Sequence, residues 1–167
     1  MKLRNIKKAP NEIALILAQN KDLQKLLVVD DVDPYGAGDP GLDPNDLIER
    51  KYITFYPPVE NRIEDFGRNT FITVLLDSAN FSAEDGNTKG YFTIYVSTNS
   101  DHLIIKDNKN RIIEMVDIIE TLLNGTKLTS AGIIKVTSAS HVMLSEYHSS
   151  YRISCNLTDQ AVRKAEI

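Results

Sequence analysis

The residues with chemical potential fall into four groups. Asp30, Asp31, Asp33, Asp39, Asp43 and Asp46 form an acidic cluster with no basic residue before Arg50. Hard cations such as calcium take carboxylate oxygens of this kind. Counted from Asp31, Asp33 and Gly36 fit calcium-loop positions, but Tyr35 replaces a ligand and Leu42 stands where the bidentate Glu belongs. A flexible, solvated acidic loop is the better reading. His141 and His148 lie near Ser138, Ser140, Ser145, Ser149 and Ser150, which invites a hydrolase. Such chemistry needs a nucleophile on a fixed turn, a base within reach and an orienting carboxylate. No G-x-S-x-G elbow is present and no acidic partner can be assigned. These Ser and His residues read instead as the solvent side of a strand and the following turn, and His102 as a loop residue. Cys155 alternates with Ile153 and Leu157 and reads as a small buried hydrophobe. Phosphate binding is poorly served, because GAGDPG lies among carboxylates and matches neither G-x-G-x-x-G nor a Walker A pattern.

Composition narrows the classes further. The chain has 167 residues, 19 Lys+Arg against 23 Asp+Glu, and a formal net charge of -4. That balance lacks the basic excess of a general nucleic-acid binder. Lys2, Arg4, Lys7 and Lys8 are explained equally by an exposed terminus or by a contact to an acidic partner surface. A hydrophobic share of 42% with 25% charged residues is that of a folded chain and not of a disordered one. One cysteine excludes an internal disulfide and a Cys-based structural zinc site. No apolar run approaches the roughly 18 residues of a membrane span, and no cleavage pattern follows the N-terminus. An intracellular chain is expected, so the Asn-x-Ser/Thr triplets at Asn80, Asn124 and Asn156 carry no meaning.

The elements that must position these residues follow from periodicity. Pro10 opens a helix in which Ile13, Ile16, Leu17, Leu23, Leu26 and Leu27 share a face, predicting a helix from Pro10 to Leu27. An irregular acidic Pro/Gly-rich loop follows at 29–46, with Asp43 capping a short turn through Leu47 and Ile48. KYITFYPP, TFITVLLD and KGYFTIYVST read as strands, and the last two form a long hairpin around SANFSAEDGNT. VENRIEDFGRN is charged and expected at the surface. A second helix spans Ile112 to Leu123, capped by Asp107 or Asn108 and closed by Gly125 in a left-handed conformation. Strands at Ile133–Leu144 and Tyr151–Leu157 follow, and the polar tail is expected to fray. The economical packing is a single α+β domain over 1–167, a mostly antiparallel β-sheet with two main helices on one face. Half of Tyr52, Phe55, Tyr56, Phe71, Tyr91, Phe92 and Tyr95 should be core. The rest, like the sheet edges, need cover that a partner subunit can give.

The order of these elements resembles a known family. An amphipathic first helix, a β-rich middle with a long hairpin, the helix NRIIEMVDIIETLLNG, the segment KLTSAGIIKVTSASHVM and the closing strand SSYRISCNLT are similar to the tail terminator (tail completion) proteins of long-tailed bacteriophages and related neck proteins. The matching residues are Leu122, Leu123, Asn124, Gly125, Tyr151 and Arg152, within a resemblance covering Asn69–Thr158 and more loosely the first helix. The acidic insert at Asp30–Asp46 departs from the pattern. The resemblance implies a structural virion protein, not an enzyme, with no cofactor and no metal. It implies a homohexameric ring at the head–tail junction that ends the tail tube and joins it to the head completion or connector protein. The protein would be made in the host cytoplasm, and DNA would pass through the lumen. The long hairpin from Phe71 to Thr98 is the expected reach to a neighbour, through Phe71, Ile72, Val74, Tyr91, Phe92, Ile94 and Tyr95, against the alternative of a hairpin folded within its own subunit. Asp30, Asp31, Asp33, Asp39, Glu84 and Asp85 are the expected lumen or ring-docking residues, since like charge avoids counterion-release binding to DNA. The contrasting expectation is a small hydrolase or metal-dependent enzyme using His141, His148 and the acidic loop.

Overall fold

A computed structural model describes residues 6–56, 69–81, 88–143 and 147–158. The N-terminal helical stretch is two helices, α1 (Ala9–Gln19) and α2 (Lys21–Val28), where one was expected. Asn20 divides them. Its ψ of 118° leaves the helical region, and its side chain accepts the Leu23 N–H at 2.9 Å, capping α2. A short amide side chain competes in this way with the helical backbone bonds, so it ends one helix and starts the next. Ile13, Leu17, Leu23, Leu26 and Leu27 are nonetheless all buried, so the apolar spacing survives the break.

Helix α3 (Pro44–Glu49) has the predicted start. Asp43 caps it, Asp46 returns a reciprocal bond to the Asp43 N–H, and Pro44 sits in the first turn. KYITFYPP yields only the two-residue strand β1 (Ile53–Thr54). The long strands are β2 (Thr70–Phe81) and β3 (Thr88–Asn99). A small hairpin of β4 (Ile104–Ile105) and β5 (Lys109–Asn110) precedes α4 (Arg111–Leu123). Asp107 and Asn108 do not cap α4. They turn this hairpin at φ 61° and 56°, values that Asp and Asn tolerate better than most residues. The cap is Asn110, whose side chain accepts the N–H of Ile112 at 3.0 Å and of Ile113 at 3.3 Å. Gly125 follows α4 at φ 84°, as its type predicts, and donates its N–H to the Ile134 carbonyl. Then come β6 (Lys127–Leu128), β7 (Gly132–Met143) and β8 (His148–Thr158).

Six strands form one sheet in the order β1-β2-β3-β8-β7-β6, and β4-β5 stands apart. Only β1 against β2 is parallel; every other neighbouring pair in both sheets is antiparallel. The α+β, mostly antiparallel architecture is thus the one expected. Ile72, Val74, Phe92, Ile94, Val96, Ile134, Ile153, Cys155 and Leu157 share one side of the sheet and join the apolar faces of α1, α2 and α4 in one buried cluster. The other side is polar around one buried ring, Phe71. Buried hydroxyls pair there, Thr54 with Thr73 at 2.8 Å and Ser150 with Ser97 at 2.7 Å. Among the described residues no helix is long and apolar enough to cross a membrane. The polar tail beyond Thr158 and nearly all of VENRIEDFGRN lie outside the described residues.

Candidate functional site

The acidic loop is built from Arg111, a residue sequence reasoning passed over. Arg111 is 1% exposed. Its Nη1 donates to the carbonyls of Leu26 (2.8 Å) and Val29 (2.6 Å), Nη2 to that of Asp31 (2.8 Å), and Nε to that of His102 (2.9 Å). The guanidinium therefore caps the negative C-terminal end of α2 and fixes the exit of the loop. Burial pulls its pKa below the ordinary value, partly offset by the charges of Asp30 and Asp31.

The carboxylates are tied down in turn, so the loop is held to the body of the chain where free solvation was expected. The Asp33 carboxylate takes the Lys106 Nζ at 2.8 Å and the Gly36 N–H at 3.0 Å. Those two bonds, the Lys106 one foremost, hold its carboxyl below the usual range. Asp39 accepts the Gly41 N–H at 2.9 Å and faces the Lys21 Nζ at 3.3 Å, and both lower its pKa in that order. Asp30 accepts from the Asn69 side-chain amide at 2.8 Å, and its carbonyl meets His102 Nδ1 at 3.0 Å. Asp31 accepts the Val32 N–H at 2.6 Å. Lys25 reaches the Tyr35 carbonyl, and the Tyr35 hydroxyl donates to Glu114 at 3.2 Å. Burial first, and Glu114 second, push the Tyr35 hydroxyl up to about 12. Among the described residues no three His, Cys, Asp or Glu side chains converge to hold a metal. Glu84 and Asp85 lie outside the described residues.

The two histidines are not brought together. Alternate residues of a strand face opposite sides. His141, on the helix side, has its Nε2 3.1 Å from Ser149 Oγ and its ring against Tyr151. His148, on the other side, stacks at a tilt against Phe71. Ser150 is buried against Ser97, and Ser138 and Ser140 are exposed on β7. Cys155 is buried as read, and burial pushes its thiol up to about 12.

The hairpin residues divide sharply. Phe71, Ile72, Val74, Phe92 and Ile94 are at most 1% exposed within their own chain. Tyr91 and Tyr95 are half-buried on the side away from the helices. Strand β3 is paired on both flanks within the chain, by β2 and β8. A contact made through this hairpin therefore has Tyr91, Tyr95 and the outer margin of β2 to use.

Both margins of the sheet are largely unpaired among the described strands. Strand β1 covers only Ile72 and Thr73 of β2, and β6 covers only Gly132 and Ile133 of β7. Ile134 and Val136 of β7 are satisfied by Thr126, Gly125 and the Asn124 side chain. Beyond them, 137–143 of β7 and 75–81 of β2 have no described strand on their outer flank.

The sequence of this chain matches a protein-family model. That family is YomW, and the match covers residues 20–157. The chain belongs to the YomW family. Its name is of Bacillus-phage type and hints at a phage-encoded protein. No curated protein matches the sequence.

Proposed function

We propose that the chain is a structural protein of a long-tailed phage particle, a ring-forming subunit at the head–tail junction that ends the tail tube and meets the head connector. The observation that carries this reading is a sheet whose two margins are largely unpaired among the described residues, in a protein of a phage-type family. A strand edge with unpaired N–H and C=O groups is a template for another chain, and a closed ring of subunits removes it. Residues 29–46 supply a second support. Exposed Asp30 and Asp31 give a face that repels DNA phosphates, as a conduit for a sliding genome requires, while Asp33 and Asp39 are balanced by Lys106 and Lys21. The side chains of this reading bind and position and perform no chemistry.

Electron microscopy of particles carrying gold-labelled protein tests it. Label at the head–tail junction is the expected result. Label confined to the tail tip or to the capsid shell would overturn the reading.

A further inference from the structure

We propose that the margin of β7 over 137–143, which no described strand flanks on its outer side, receives the corresponding margin of β2, over 75–81, of a second copy of this chain, so that the sheet runs from one subunit into the next. The proposal deepens the assembly reading above and rests on it only for self-association.

Three observations converge on that occupant. The first is direction. Strands β2, β3, β8 and β7 alternate up and down along the sheet. A copy placed alongside in the same sense therefore brings its β2 antiparallel to β7, the pairing used throughout the long strands. The second is length. The open stretches of the two margins match, and they lie at opposite ends of the strand order. Their contact is therefore heterologous, the kind that repeats from copy to copy and closes by rotation.

The third is the apolar side. At the β2 margin Leu76 and Ala79 face the helix side and stay half-buried on the core. At the β7 margin Val136 is half-buried and Ala139 exposed on that same side. Between α4 and β7 lies a notch of about 140 Å³ lined by Val116, Glu120, Val136, Thr137, Ala139 and Ile153. A leucine arriving from a paired β2 fills such a space and completes the apolar row across the joint.

Oxidative cross-linking of the full chain tests this. Ser78, Ser138 and Ser140 are exposed on the side of the sheet away from the helices, and the native Cys155 is buried. Ser78→Cys combined with Ser138→Cys or Ser140→Cys is expected to give a ladder of covalent oligomers, and each single variant none. Dimers from Ser138→Cys or Ser140→Cys alone would mean that β7 pairs with β7, and would overturn head-to-tail pairing. Oligomers by light scattering with no ladder in either double variant would overturn this joint and leave the assembly reading standing. A monomer with no ladder at any concentration would overturn both.

Discussion

Arg111 begins α4, where a positive charge opposes the helix dipole. Its position makes sense only from the other side, where it meets carbonyls at the end of α2. Replacing it with methionine keeps most of the volume and strands four acceptors. The expected loss is about 3 kcal/mol of stability in denaturant unfolding, with faster protease cleavage at 30–33. Nothing in the sequence marked this role, because an arginine at a helix start reads as solvated charge and its partners are backbone atoms. Glu12 is a second such residue. It accepts hydrogen bonds from the N–H and hydroxyl groups of both Thr129 and Ser130. Burial opposes its ionisation, yet the Ser130 and Thr129 bonds win and lower its pKa from 4.5. A carboxyl lowered in the folded state adds stability that is complete above its unfolded value and lost as pH falls through the folded one. The melting temperature of the wild type should therefore exceed that of Glu12→Gln at neutral pH, and the gap should close as the pH falls below 4.5. Cys155, by contrast, was legible from strict alternation with Ile153 and Leu157. Its labelling by a thiol reagent should track global unfolding, so a rate independent of added denaturant would contradict its burial.

At the scale of elements, apolar periodicity carried far and boundaries less so. The positions of Ile13, Leu17, Leu23 and Leu26 gave the buried face of the first helical stretch correctly, but hydrophobic spacing is blind to the break at Asn20. The side chain that makes the break is polar and its bond is local. The start of α4 shows the same weakness. Asp107, Asn108 and Asn110 are all good caps by type, and only the pairing of Ile104 with Asn110 in the β4–β5 hairpin decides among them. Asn110→Ala should cost about 1 kcal/mol of stability. Asp107→Gly should be neutral or stabilising, because a glycine sits at φ 61° without steric cost. Equal losses from both would mean that the cap is misassigned.

For the whole molecule, the fold class was readable because strands and helices alternate in a pattern with few economical packings. Which strands pair was less so. The two-residue β1 beside β2 is parallel and too short to carry a pattern of its own. The order that leaves 75–81 and 137–143 at the margins is a long-range property. The acidic loop was recognisable by composition alone. Its tethers come from Lys21, 18 residues before Asp39, and from Lys106, 73 residues after Asp33. If the loop faces a genome conduit, neutralising Asp30 and Asp31 as Asn should slow DNA exit from particles while leaving the Lys-bound Asp33 and Asp39 in place. Unchanged ejection kinetics and unchanged ring docking would put that face elsewhere.

The carbonyls gathered by Arg111 also bear on how the chain is made. Leu26 and Asp31 precede their anchor by 85 and 80 residues. On a ribosome, where synthesis runs from the N-terminus, the first two helices and the acidic stretch emerge long before the cation that holds them. A nascent chain stalled ahead of position 111 should leave that stretch open to added protease, and one stalled after α4 has cleared the exit tunnel should close it.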